Sequence, residues 1–130
     1  MTAHAFRLTR GDDLLGSIRD YAAAHGIRAA AIVSGVGCVT RAFIRDASGV
    51  TTHELSGRYE IVSITGTVSA ARTHLHIALA SEDMQVVGGH LCEGTIVNTT
   101  CEVVLLELEG MEFTKEFDPQ TGYNELCIRP

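Results

Sequence analysis

Between Thr73 and Leu91 the chain reads THLHIALASEDMQVVGGHL, and the alternation at the start of that segment limits what can be built there. Successive side chains of a strand point to opposite faces, so Leu75, Ile77 and Leu79 share one face and His74 and His76 the other. The leucine face is a core face; the histidine face is free for chemistry. A short loop centred on Asp83 predicts an antiparallel return in which paired residue numbers sum to about 166, setting His90 across from His76. Directly opposed residues have Cβ atoms roughly 4.5–5.5 Å apart, close enough for two imidazoles to share one ion. His74, two positions along, is the third ligand. The pattern depends on register, because a slip of one residue turns His90 to the other face. Gly88 and Gly89 also leave room for a bulge.

With 130 residues and 45% hydrophobic content, the chain can bury one core, and we read residues 1–130 as one domain. No apolar run reaches the roughly 20 residues that span a bilayer, and Arg7, Arg10, Asp12 and Asp13 leave no room for a signal-peptide core. A cytoplasmic protein with no membrane partner is expected. Cys38, Cys92, Cys101 and Cys127 form no CxxC pair, so they read as reduced, mostly buried thiols. Cys92 follows His90 by two positions, but a small buried hydrophobe is the better reading than a fourth ligand. The net charge of -6 and the scattered basic residues disfavour DNA, since nonspecific affinity comes from Lys and Arg neutralising phosphates.

Phe6 and Leu8 begin a first strand, and Gly11-Asp12-Asp13 offers a cap for an amphipathic helix. Its apolar side is Leu14, Ile18, Tyr21 and Ala22, with His25 in the last turn and Gly26 as the stop. Strands are expected at Ile27–Ser34 and Cys38–Arg45, separated by a break at Gly35-Val36-Gly37. That GxG lacks a third glycine and precedes a strand, which argues against a nucleotide loop. Asp46 to Gly49 is a turn, followed by Val50–Leu55, where His53 is a solvated strand residue, and then by Tyr59–Val68. Gly66 in that last run suggests close packing. Thr95–Thr100 precedes a strong strand from Cys101 to Leu108, and two more strands flank the turn Asp118 to Gly122. In the Cys101–Leu108 run, Glu102 shares a face with Val104, Leu106 and Leu108. A carboxylate at the start of an apolar face needs a partner, so Glu102 is the candidate catalytic group, as a proton carrier or as support for a ligand histidine; simple solvation at the strand mouth is the alternative. Arg72 precedes the histidine pair and could hold a carboxylate, although an exposed loop arginine is the simpler reading.

His74-x-His76, then Val87-Gly88-Gly89-His90-Leu91 and the strand start at Thr100 to Val103, resemble the PPC (plants and prokaryotes conserved) domain. The resemblance extends to Gly11–Leu14, Ser34–Gly37 and Tyr59–Gly66, nearly the whole chain. It implies an α/β fold of the α+β type, with a largely antiparallel mixed sheet and few helices, assembled as a homotrimer. In plants this domain accompanies AT-hook motifs that grip DNA; this chain has no Arg-Gly-Arg-Pro element. The fold is also similar to that of acetolactate decarboxylase, a zinc enzyme whose metal is held by an HxH pair and a later histidine. That ligand pattern falls on His74, His76 and His90; the decarboxylase's other catalytic groups have no match. The expectation is therefore Zn²⁺ or another divalent transition metal on three histidines, with an open position for a small anionic ligand. Chemistry on a small carbonyl or carboxylate compound would follow from such a site. The alternative is a DNA-binding or transcription-associated module in which the histidines are structural.

Overall fold

The computed structural model describes residues 1–130. The elements are β1 (Thr2–Thr9), α1 (Leu14–Ala24), β2 (Ala30–Arg45), β3 (Thr52–Val68), β4 (Thr73–Ala80), β5 (Val86–Leu91), β6 (Ile96–Glu107), β7 (Glu112–Asp118) and β8 (Tyr123–Arg129).

The single helix starts where the aspartates predict. One carboxylate oxygen of Asp13 accepts the Gly16 N–H at 2.8 Å, and the other accepts the Gly94 N–H at 2.6 Å. The same side chain thus caps the helix and ties it to the loop before β6; such a cap contributes about 1 kcal/mol. Leu14, Ile18 and Ala22, spaced by four, are buried in the sheet's core. No helix is long and apolar enough to cross a membrane.

Six strands form one sheet in the order β1-β6-β2-β3-β4-β5, and β5 also pairs with the end of β2 through Ile44–Leu91 and Arg45–His90. The ring β2-β3-β4-β5 therefore closes on itself, and Val39, Leu75, Leu79 and Leu91 from its strands belong to the buried core. Every pairing is antiparallel, so the sheet is not mixed as expected. β7 and β8 make a separate hairpin, anchored by the Phe113 N–H donating to the Arg28 carbonyl at 2.8 Å.

Several expected strand breaks are absent. β2 runs unbroken through Gly35-Val36-Gly37, β3 joins the two expected strands, and β6 begins at Ile96. Gly37 borders a register shift inside the long strand, and Gly35 stays paired with Val103. At Gly37 a Cβ would lie 2.0 Å from the Thr100 carbonyl oxygen, so glycine here permits close strand approach. The core phase of β6 also differs from the expectation. Cys101, Val103 and Leu105 are buried, and Glu102 is exposed on the opposite face with half-buried Val104 and Leu106. Both phases of this run are apolar, so alternation alone did not distinguish them.

Candidate metal centre

The β4–β5 hairpin has the expected register: His76 pairs with His90, Ile77 with Gly89 and Ala78 with Gly88. The loop closes with the Ser81 N–H donating to the Gln85 carbonyl at 2.9 Å and the Met84 N–H to the Ser81 carbonyl at 2.8 Å. Leu75, Ile77 and Leu79 anchor the inner face; burying each such side chain stabilises by about 1.5–3 kcal/mol. The outer face carries the imidazoles. Two glycines let neighbouring backbone come close: a Cβ on Gly66 of β3 would lie 2.0 Å from the His74 carbonyl oxygen, and one on Gly88 would lie 2.2 Å from that of Ile77.

His74, His76 and His90 are thereby brought together. Their ring centroids are 5.0–5.6 Å apart, and one ring nitrogen from each lies within 4.8 Å of the others. His76 is exposed and the other two are half-buried. Burial, then the Arg45 guanidinium, pushes the His90 ring down to about 4; burial and then Arg72 lower His74. Both rings are accordingly neutral at pH 7, the state in which imidazole offers a lone pair to a metal. His90 Nδ1 is buried and has no hydrogen-bond partner.

Arginines surround the group. Arg72 is only 15% exposed, a correction to its reading as an exposed loop residue, and its Nη1 donates to His74 Nδ1 at 3.0 Å. Its Nη2 lies 3.9 Å from Glu125 Oε1 on β8. A cavity of about 360 Å³ is lined by Thr65, Thr67, Arg72, His74, His76 and Glu125. A neighbouring one of about 470 Å³ is lined by Arg45, Arg72, His74, His90, Tyr123 and Asn124. The buried Nε of Arg45 also has no partner. Arg45 and Glu125 carry no local sequence signal; closure of β5 onto β2 brings the first and the C-terminal hairpin brings the second.

Glu102 is not part of this group. It pairs opposite Arg7 and Val36, whereas His90 pairs opposite Arg45; β2 runs from Val36 to Arg45 between them, roughly 30 Å of extended chain. Cys92 is also outside the group, its Sγ donating to the His90 carbonyl at 3.6 Å.

The chain is similar to the bifunctional protein GlmU of Synechococcus sp. (strain JA-2-3B'a(2-13)), with 35% identity over 127 residues, covering 98% of this chain and 20% of that protein. It is 30% identical over 115 residues to AT-hook motif nuclear-localized protein 8 of Arabidopsis thaliana, covering 80% of this chain and 29% of that protein. The chain thus spans well under half the length of these relatives. Among solved structures, a hypothetical protein of Salmonella enterica superposes with a TM-score of 0.95 at 31% identity, covering 98% of this chain and 93% of that one. The metal-containing protein of Archaeoglobus fulgidus superposes with a TM-score of 0.80 at 31% identity, covering 98% and 94%. The family model for the Plants and Prokaryotes Conserved (PCC) domain, the PPC domain of the sequence reading, matches residues 1–109. The match ends before β7, so Glu125 and Tyr123, which line the cavities beside the histidines, lie outside it. The chain belongs to the Plants and Prokaryotes Conserved domain family.

Proposed function

We propose that this chain binds a divalent transition metal, zinc before others, through His74, His76 and His90, and presents it to a small carbonyl or carboxylate compound. The observation that carries this reading is the three-imidazole group with donor nitrogens within 4.8 Å of one another, where His90 Nδ1 is buried without a partner. An unsatisfied buried polar atom costs about 1–3 kcal/mol, and a metal bond at that nitrogen would remove the cost. Imidazole donors suit zinc, copper, iron and nickel, and three of them leave a coordination position open. A bound ion of this kind supplies Lewis acidity toward a carbonyl or toward water. Arg45 and Arg72, which line a cavity shared with His74 and His90, are the groups that would hold a carboxylate. The metal-containing relative from Archaeoglobus fulgidus supports the reading.

Elemental analysis of untagged protein, before and after dialysis against zinc, tests it. About one ion per chain is expected, falling to none in His76→Ala. No metal, or equal metal in the variant, rejects the proposal. Self-association as a homotrimer belongs to the same reading. Val33, Val36 and Val62 are exposed, and Gly37 pairs with Ile61 beside the last two, leaving apolar sheet surface uncovered. Sedimentation equilibrium at the monomer mass would remove the trimer.

A second reading, a DNA-docking or transcription-associated module, is favoured by the similarity to the AT-hook protein of Arabidopsis thaliana. The net charge of -6 weighs against it. Duplex binding over a salt series decides it, and no binding at low salt rejects it for DNA.

A further inference from the structure

Arg72 makes a contact with His74 that a metal-bound His74 could not keep. The guanidinium has five N–H donors and no acceptor, so its 3.0 Å contact with His74 Nδ1 uses that nitrogen's lone pair. A neutral ring arranged in this way carries its proton on Nε2. Neither nitrogen then has a lone pair to give. An ion bound at Nδ1 takes the place of Arg72 directly. An ion bound at Nε2 sends the ring proton to Nδ1, where it faces a group that can only donate. The Arg72 contact and ligation by His74 are mutually exclusive on either side of the ring.

The position of Arg72 is set by its surroundings. Its N–H donates to Ser69 Oγ at 3.0 Å, its carbonyl accepts the Ser69 N–H at 2.9 Å, and Ser69 Oγ donates to the Phe113 carbonyl on β7 at 2.8 Å. The turn that carries Arg72 is thus pinned to the C-terminal hairpin. From there the guanidinium has an alternative partner in Glu125, whose Oε1 is already 3.9 Å from Nη2.

We infer that Arg72 is a latch on the metal centre: it occupies His74 when no ion is bound and transfers to Glu125 on β8 when an ion takes His74. This rests on the three-histidine metal reading. It makes the affinity of the centre a balance between the ion and an internal cation, and it couples occupancy to the C-terminal hairpin. The Arg45 guanidinium shares the cavity and would repel an ion, but its buried Nε has no hydrogen-bond partner and it is not the competitor.

Titration of purified protein with Zn²⁺ and Co²⁺ against a chromophoric chelator tests the exchange. In Arg72→Gln the side-chain carbonyl can accept the proton that a metal-bound ring carries on its other nitrogen. Affinity is expected to rise by roughly tenfold or more, the scale on which partners of ligand histidines act. Glu125→Gln is expected to weaken binding in the wild-type background and to do so much less in Arg72→Gln, because its effect passes through Arg72. Wild-type uptake with no tightening in Arg72→Gln overturns the latch alone, and additive effects overturn the transfer to Glu125. No uptake by either protein removes the metal reading and the latch with it. Ring ¹⁵N shifts of metal-free protein give a readout that needs no metal: the His74 proton is expected on Nε2, and a proton on Nδ1 overturns the proposal.

Discussion

His4, Tyr21 and His25 form one cluster where β1 meets α1; His74, His76 and His90 form another on β4 and β5. In the first, the Tyr21 ring stacks on Phe6 and on His25 with both centroid distances at 3.9 Å. His4 Nε2 lies 2.8 Å from Glu107 Oε1, its Nδ1 lies 3.3 Å from the Tyr21 hydroxyl, and His25 Nδ1 donates to the Tyr21 carbonyl at 2.9 Å. The nitrogens of His4 are both engaged with partners inside the fold. In the second cluster His90 Nδ1 has no partner, and the partner of His74 is a cation. Both clusters bring imidazoles close together, so proximity alone does not mark a metal site. The second cluster differs in two particulars: a buried ring nitrogen with no partner on His90, and a cation rather than a carboxylate or hydroxyl beside His74.

The largest expected effect separates the two directly. His76→Ala should abolish divalent metal uptake while moving stability by no more than about 0.5 kcal/mol, because the side chain is exposed. His4→Ala should leave uptake intact and cost about 1–2 kcal/mol, since it removes the bond to half-buried Glu107. Equilibrium urea unfolding paired with metal analysis reads both quantities. Metal loss in His4→Ala would break the distinction.

A smaller effect acts on the frame of the second cluster. In Gly66→Ala the new Cβ would meet the His74 carbonyl oxygen at 2.0 Å, at a φ of +145° that L side chains rarely adopt. β3 and β4 must part, with a loss of about 2 kcal/mol or more. His74 moves with them, so metal affinity should fall although no ligand has changed. A variant that unfolds at the wild-type urea midpoint would show that the close approach is dispensable.

Where the sequence was legible, one reason recurs: the pattern was local and one-sided. Leu75, Ile77 and Leu79 alternate with His74 and His76, and only one hairpin phase buries them, so the His76–His90 register followed. On β6 both phases are apolar, and the choice between Glu102 and Cys101 for the inner face depended on pairing with β1 and β2. Gly35 and Gly37 read as a strand break because a glycine pair looks the same whether the chain turns or lets a neighbour approach. Arg45 and Glu125 became visible only through contacts distant in sequence, β5 returning to β2 and the C-terminal hairpin docking on the turn before β4, whereas Arg72 already stood beside the histidine pair. The candidate ligands belong to one short segment, whereas of the charges beside them only Arg72 is local, and Arg45 and Glu125 come from the rest of the chain.

The smallest effect is a pH dependence, and its sign follows from the direction of the shifts. Ring protonation of His90 in the folded protein lies at about 4, against an ordinary value of 6.5, and His74 is lowered as well. Between these limits the unfolded chain holds more protons than the folded one, so acid favours unfolding. The contribution is complete above about pH 6.5, declines as pH falls, and levels off below the folded value near 4. Both rings are partly open to solvent, which keeps the effect modest. In metal-free protein, urea midpoints measured through this window should therefore fall with pH, and His90→Gln should flatten the slope by removing the larger of the two shifts. Zinc should steepen it, because protons then compete with the ion for neutral imidazoles as well as favouring the unfolded chain. A slope unchanged in His90→Gln would mean that His90 is no more burdened by burial than a surface histidine, and the difference between the two clusters would rest on hydrogen bonding alone.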